Sequence, residues 1–162
     1  MVDPQKLEKW RKAIRAKFPV IGTLRLSLAL KAMEASRNEP QVIPLLVDVL
    51  RCNHDTFVSR ASAALSALTA LEAVDALCSL WADDRDERLG TIIAQRQYVA
   101  RGPARVRALS TLQAGALAAL ADADAPLVKE LILALKDSDA QIVGGADAAL
   151  RGLRNPDGVD AL

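Results

Sequence analysis

The sequence predicts an all-α protein built as an α-solenoid, in which short helical hairpins stack side by side and wind into a right-handed superhelix. Three observations support this fold class. Apolar residues recur at three- and four-residue steps along most of the chain. The composition is 51% hydrophobic but only 3% aromatic, which suits closely packed helices rich in alanine and leucine. A helical hairpin also recurs at a fixed distance, and stacking covers the apolar faces that one hairpin leaves open.

The clearest predicted hairpin lies at residues 127–154, where two apolar stripes with helical spacing flank a polar turn. Ser138 and Gln141 have capping-box spacing in this turn, so we expect their side chains to satisfy free amides of the second helix. Residues 42–77 match residues 127–162 without a gap, with 12 identities in 36 positions. Most identities are apolar or small residues, and VDAL recurs in register. We therefore interpret the match as an internal repeat.

The repeated segments resemble a known family. VIPLLVDVLR, FVSRASAALSAL and LVKELILALKDSDAQIVGGADAALRGL are similar to bacterial HEAT repeats of the phycobilisome-lyase type. In that family an Asp-containing turn leads into a second helix of the form V-R-x-x-A-x-x-A-L, which Val106, Arg107, Ala108 and Leu109 also resemble. The resemblance covers residues 40–162 and implies a HEAT-like α-solenoid. Members of the family include enzymes that attach bilins, whereas most such repeats are binding scaffolds.

The predicted organisation is a single HEAT-like repeat domain over residues 1–162. Residues 1–39 form basic N-terminal capping helices, with nine Lys/Arg against four Asp/Glu, and residues 40–162 form the repeats. The second copy of the repeat stops at Leu162, where the first copy continues with CSLW. An uncapped apolar face is unusual at a solenoid end. We therefore expect a truncated last repeat and a fragment of a longer protein.

The N-terminal helix is predicted to begin at Asp3-Pro4, because Asp caps free amides and Pro tolerates the first helical position. One face is apolar, and the opposite face is basic: Leu7, Trp10, Ile14 and Phe18 against Lys6, Lys9, Arg11, Lys12, Arg15 and Lys17. We expect a solvated face of an end cap, with a site for phosphates or an acidic partner as the alternative. Residues 23–30, TLRLSLAL, alternate as in a strand, but they run into LKAMEA and have no strand to pair with, so we predict a helix.

The remaining helices follow from the same periodicity. We expect helices near residues 40–51, 56–70, 72–82 and 104–113, and one that starts at residues 84–86. Residues 113–125 have room for at most a short helix. Gly144-Gly145 inside the last helix costs about 1 kcal/mol per glycine relative to alanine. Close backbone packing is the first explanation and a hinge the second.

The chain shows no catalytic, cofactor or metal motif. His54 is predicted to be exposed or to cap a helix, and Cys52-x-His54 lacks the second ligand pair of a zinc site. Cys52 and Cys78 fit no disulfide framework, which favours the cytoplasm. No apolar run approaches the ~20 residues of a membrane span, and no secretory signal opens the chain. We therefore predict a non-enzymatic, cytoplasmic protein with no cofactor, no metal and no membrane partner, and the resemblance to bacterial HEAT repeats implies a bacterial source.

Four arginines are the candidate site for a partner: Arg96, Arg101, Arg105 and Arg107. No acidic residue lies between Glu87 and Asp122, and the planar guanidinium suits carboxylate or phosphate recognition. The alternative is that the DDRDE turn at residues 83–87 neutralises this group.

The leading hypothesis is a protein–protein interaction scaffold that binds a partner, or another domain of its own chain, through the second helices. A nucleic-acid-binding domain is the alternative, because HEAT-like alkylpurine glycosylases, which the fold resembles, bind DNA in a basic concave groove. The net charge of +1 and the lack of an identifiable catalytic Asp count against it. A bilin-lyase-like enzyme ranks last, since it rests on fold analogy alone.

Overall fold

The computed structural model describes residues 2–15 and 19–155, with backbone only at residues 19–22 and 101. Over these residues the chain forms helices and no strand, which confirms the all-α prediction. The α-helices are α1 (Pro4–Ile14), α2 (Pro19–Ala35), α3 (Ile43–Leu50), α4 (Asp55–Ser66), α5 (Leu71–Asp84), α6 (Glu87–Gln95), α7 (Ala104–Gln113), α8 (Ala125–Ala134) and α9 (Ala140–Arg151). Short 3₁₀ helices lie at Pro40–Val42, Tyr98–Arg101 and Leu117–Leu120.

The chain divides into two compact units, Met1–Arg101 and Gly102–Leu162. The first unit contains α1 to α6, and the second contains α7 to α9. The described residues do not include Lys17 and Phe18 of the predicted N-terminal helix or the VDAL copy at residues 159–162.

The segment with strand-like alternation is helical, as predicted. α2 places Leu30 and Met33 in the core with no exposed surface. Leu24 and Leu28 lie one helical turn apart and are 65% and 63% exposed. The helix therefore separates the alternating leucines into a buried set and an exposed set, which a strand reading does not do.

The core of the first unit is built around α3, which contacts α4 and α5. Ile43, Leu46 and Leu50 are at most 1% exposed. The loop before α3 is attached to the start of α5, because the Asn38 side-chain oxygen accepts from the Thr69 and Ala70 amides at 2.9 and 3.3 Å. The side-chain amide therefore satisfies backbone donors at the entry to α5.

α4 ends at Ser66, earlier than the predicted residue 70. The reason is Tyr98, whose side chain lies against the end of α4 in the same unit. Its buried hydroxyl accepts from the Leu68 amide at 3.0 Å and lies 3.1 Å from the Leu65 carbonyl oxygen, to which it can donate. A tyrosine hydroxyl thus replaces the helical partners that these groups lose where α4 stops.

The second unit contains the other copy of the repeated hairpin. The bounds of α9 equal those of α4 shifted by the repeat offset of 85. Within each copy the same small residue of the second helix is fully buried, Ala61 in α4 and Ala146 in α9. The leucines of the first helices, Leu46 and Leu131, are also fully buried. The repeated residues thus occupy equivalent packing positions.

The predicted capping box at Ser138 and Gln141 is wrong. Asp139 is the N-cap of α9, and its carboxylate accepts from the Gln141 amide at 2.8 Å. The Gln141 side chain instead donates to the Gln113 carbonyl at 3.4 Å, which joins α9 to the end of α7. The helix begins one residue later than the box requires, so the aspartate takes the capping position.

The two glycines of α9 differ in their surroundings. A Cβ atom at Gly145 would lie 3.2 Å from Leu112 Cδ2 and 3.5 Å from Leu117 Cδ2, whereas one at Gly144 would meet nothing within 4 Å. Close packing therefore explains Gly145, and it does not explain Gly144.

Candidate functional site

The four predicted arginines are divided between the two units, with Arg96 and Arg101 in the first and Arg105 and Arg107 on α7 of the second. Arg96 follows α6 and is exposed, and Arg101 lies in the 3₁₀ helix after it, where only its backbone is described. On α7, Arg105 is exposed and Arg107 is partly exposed. The Arg107 guanidinium lies 3.8 Å from the Asp124 carboxylate, which is the N-cap of α8. A shared binding surface of these arginines stays a prediction.

The acidic turn at residues 83–87 has a defined partner within the first unit. Arg51, after α3, donates to Asp84 at 2.6 Å and to Asp86 at 3.0 Å. Asp86 is also the N-cap of α6 and accepts from the Arg88 and Leu89 amides. Two of the four carboxylates of this turn, Asp84 and Asp86, therefore pair with Arg51 at the end of α3, and Asp86 also caps α6.

This arrangement changes the acidity of Asp86. Burial raises the pKa of the carboxyl, but the Arg51 hydrogen bond, the Leu89 and Arg88 amides and the Arg51 charge outweigh burial and hold the pKa below its ordinary value. Asp86 is consequently ionised at neutral pH. Its role is to cap one helix and to join it to the end of another.

Arg88 is the fifth arginine between Glu87 and Asp122, where the sequence has no acidic residue, and its side chain has a backbone partner. Its guanidinium donates to the Leu50 carbonyl at 2.8 Å, at the last residue of α3. A cation at this position satisfies a free carbonyl and opposes the negative end of the helix dipole. Arg88 therefore stabilises the fold of the first unit.

A groove of about 440 Å³ lies between α1 and α2 in the first unit. We call it the α1–α2 groove and define it by its lining: Lys9, Trp10, Lys12, Ala13, Arg25, Leu28 and Ala29. Among the described residues, the lining combines apolar side chains with three cations and contains no acidic residue. Aromatic and basic side chains around one concavity are the composition of binding sites and of interface anchors.

The three cations of the groove have no partner. Within the part of the chain that the structure describes, no hydrogen bond or ion pair reaches the side chain of Lys9, Lys12 or Arg25. The nearby carboxylate of Glu8 lies 3.7 Å from Arg11, one helical turn away on α1. The groove therefore presents uncompensated positive charge beside exposed apolar surface.

The helices that form the groove are only partly covered. No residue of α1 is fully buried, although α1 contacts α2 and α3, and the Gln41 side chain donates to the Val2 carbonyl at 3.2 Å. Trp10 is half-buried, and Leu24 and Leu28 project from α2. A helix with apolar residues on both its buried and its outer face is typical of a position between two neighbours.

Sequence reasoning identified the basic face of α1 but missed the contribution of α2. The missed signal is the spacing of Leu24 and Leu28, which share one helical face opposite Leu30 and Met33. Once TLRLSLAL is read as a helix, two leucines must face outward. The neighbouring Arg25 then joins the lysines of α1.

A second groove of about 380 Å³ lies in the first unit, where α4 and α6 contact each other. Its lining is more polar and includes Ser62, Arg88, Thr91 and Gln95. Arg88 is engaged by the Leu50 carbonyl, and the Thr91 hydroxyl donates to the Glu87 carbonyl at 2.9 Å. Two of these polar side chains therefore satisfy backbone groups.

The single histidine and the two cysteines have structural surroundings. His54 is exposed, as predicted; it precedes α4, and its ring lies 4.4 Å from that of Phe57. Burial, helped by the charge of Asp75, raises the pKa of Cys78 to about 12, so this thiol stays protonated at neutral pH. Cys52 is half-buried and free. Over residues 2–15 and 19–155, no group of three or more His, Cys, Asp or Glu is placed to hold a metal ion.

None of the helices that the structure describes has the length and apolar character needed to cross a membrane.

Comparison with known proteins gives no match: no family model, no curated protein and no solved structure is significantly similar to this chain. The α1–α2 groove and the exposed leucines beside it are therefore the observations on which a functional proposal rests.

Proposed function

We propose that this chain is a non-enzymatic protein-binding module, a scaffold or adaptor that holds a partner protein or another domain of its own chain. The observation that supports it best is the α1–α2 groove. Three unpartnered cations line the groove together with Trp10, and Leu28 extends its apolar lining onto an exposed helix face. Protein interfaces combine an aromatic or arginine anchor with an apolar centre and a polar rim, and the groove has each of these parts.

The proposal includes a HEAT-like α-solenoid with a right-handed superhelix. It is supported by the repeated hairpin, in which α4 and α9 have equivalent bounds and bury the same alanines. Arg96, Arg101, Arg105 and Arg107 are proposed as a second contact region for the partner. The two cysteines are free, which suits the reducing bacterial cytoplasm that we propose as the location of the protein.

A nucleic-acid-binding function is the second candidate, and the same three cations favour it. Lys9, Lys12 and Arg25 are the kind of side chains that neutralise phosphates. The exposed leucines favour a protein partner. Leu24 and Leu28 are 65% and 63% exposed, and apolar side chains contribute nothing to phosphate binding. Duplex binding that falls steeply between about 50 and 200 mM salt would favour the nucleic-acid function.

The test is site-specific photocrosslinking in a lysate of the source cells. A photoreactive amino acid replaces Leu24, and a matched control chain has it at Thr56, an exposed position of α4. Each lysate is divided into nuclease-treated and untreated halves, and crosslinked proteins are identified by mass spectrometry. We expect a protein crosslinked at Leu24, absent at Thr56 and retained after nuclease. Loss of the product on nuclease treatment, or equal products at both positions, would overturn the proposal.

The arginine region is tested separately with the paired substitutions Arg101→Glu and Arg105→Glu. We expect this double variant to bind the partner identified by crosslinking more weakly than the parent chain does. Its melting temperature should stay within a few degrees of that of the parent chain. Unchanged retention would remove these arginines from the interface.

A further inference from the structure

We infer that the α1–α2 groove binds an acidic amphipathic helix of the partner protein. The inference rests on the proposed function and adds the chemistry of the bound segment. Its basis is the geometry of the groove, its apolar floor and its unpartnered cations.

The shape of the site suits a helix. Two packed helices leave a groove between them, and side-chain ridges of a third helix fill such a groove. At about 440 Å³ the cavity accommodates several side chains. Ala13 on α1 and Ala29 on α2 are small, so an incoming helix can approach the backbones of both.

The apolar surface follows helical spacing. Leu24 and Leu28 are one turn apart on α2, and Leu28 also lines the groove beside Trp10. A partner helix with apolar residues at i, i+3 or i+4, and i+7 presents a stripe of matching width. Burial of such a stripe is favourable by about 25 cal/mol per Å² of apolar surface, less the losses of motion on association.

The charges determine the polar face of the occupant. Lys9 and Lys12 are one turn apart on α1, and Arg25 lines the groove from α2, with no acidic residue in the lining. Asp or Glu residues that flank the apolar stripe of the occupant would pair with these cations. Basic flanks would instead place like charges together, so the groove selects against a cationic helix.

An anionic membrane surface is the other ligand that cations and a tryptophan attract. The concave arrangement favours a helix, because Trp10 is half-buried between α1 and α2 and lines a cavity of defined volume. Vesicle binding is therefore measured as a competing outcome.

The experiment uses two labelled peptides of about 18 residues, or about five helical turns, that share one leucine stripe. One peptide has Glu on both flanks and the other has Lys. Fluorescence anisotropy gives their Kd for the full chain and for two double variants. Lys9→Glu with Lys12→Glu reverses charge in the groove, and Lys129→Glu with Lys136→Glu makes the same charge change at exposed positions of the second unit.

We expect the acidic peptide to bind the parent chain at least about tenfold more tightly than the basic peptide, as about 1.4 kcal/mol corresponds to tenfold. The groove variant should lose this preference and bind the basic peptide better than the parent chain does, and the control variant should keep it. The groove variant could instead lose the acidic peptide without gaining the basic one. If its far-UV circular dichroism spectrum is unchanged, misfolding is excluded, and this result contradicts the inference.

Three further results overturn the inference. They are equal affinity of the parent chain for both peptides, equal effects of the two double variants, and binding to vesicles that contain phosphatidylglycerol without binding to the acidic peptide. Failure here is separable from failure of the proposed function. If a protein is crosslinked at Leu24 but its contact segment is not an acidic helix, the proposed protein-binding function stands. Only the inference about an acidic helix is then wrong.

Discussion

The substitution Tyr98→Phe tests how the first unit ends α4. Tyr98 is 4% exposed, and its hydroxyl lies 3.0 Å from the Leu68 amide and 3.1 Å from the Leu65 carbonyl. Phenylalanine keeps the ring and removes the hydroxyl with its hydrogen bonds, which include a contact with the Leu68 carbonyl at 3.3 Å. Leu68 is 5% exposed, so its amide loses its partner where water has little access.

We expect Tyr98→Phe to lower the free energy of unfolding by about 1–3 kcal/mol, which is the cost of a buried polar group without a partner. For a chain of 162 residues, each kcal/mol lowers the melting temperature by about 2–4 °C. The urea m-value should not change, because the variant exposes no additional surface on unfolding.

The assay is urea unfolding followed by the fluorescence of Trp81, which is 5% exposed in the same unit. Both tryptophans of the chain, Trp10 and Trp81, lie in this unit, so a Trp10→Phe background isolates the reporter. Thr91→Val is the matched control. It removes a hydroxyl that donates to a backbone carbonyl at 2.9 Å, but at an exposed position.

We expect the control to lose less than about 0.5 kcal/mol, as is usual for surface substitutions. If Tyr98→Phe loses as little as the control, the hydroxyl does not satisfy the end of α4, and the reason given for its early termination is wrong.

Two further predictions concern packing and pH. Gly144→Ala should stabilise the chain by up to about 1 kcal/mol, since its Cβ meets open space, and Gly145→Ala should gain less or lose stability because its Cβ lies 3.2 Å from Leu112 Cδ2. Thermal melts by far-UV circular dichroism measure both, and equal gains would contradict the packing argument. Asp86→Asn should lower the free energy of unfolding at pH 7 by weakening the contact with Arg51. Because the folded pKa of Asp86 is lowered, its contribution is complete above about pH 4 and is lost as pH falls through the folded pKa, so the deficit should shrink at pH 3. A deficit that is the same in urea titrations at both pH values would refute this assignment.

Local sequence signals predicted much of the fold. Asp3 caps α1 through the Gln5 amide at 2.9 Å, as the Asp-Pro pair indicates. The helix at 104–113 has the predicted bounds. The repeated hairpin appears in both units because small residues at equivalent positions allow the same close packing. Such features depend on residues a few positions apart, and their geometry is set by the helix itself.

Other features depend on groups that are far apart in sequence. Ser138 and Asp139 are both acceptable caps, and the start of α9 selected the aspartate. Arg51 pairs with Asp84 and Asp86 only because the ends of α3 and α5 meet. Nothing local in the sequence relates Tyr98 to the end of α4, which it reaches across 30 positions.

The candidate site shows the same division. The basic face of α1 and the helical character of the chain follow from the sequence alone, because charge and periodicity are properties of neighbouring residues. The packing of the helices, in contrast, is what brings Arg25 and Leu28 of α2 into one groove with Lys9 and Trp10 of α1. Which side chains converge depends on how α1 packs on α2, and that packing depends on the whole buried surface of the first unit.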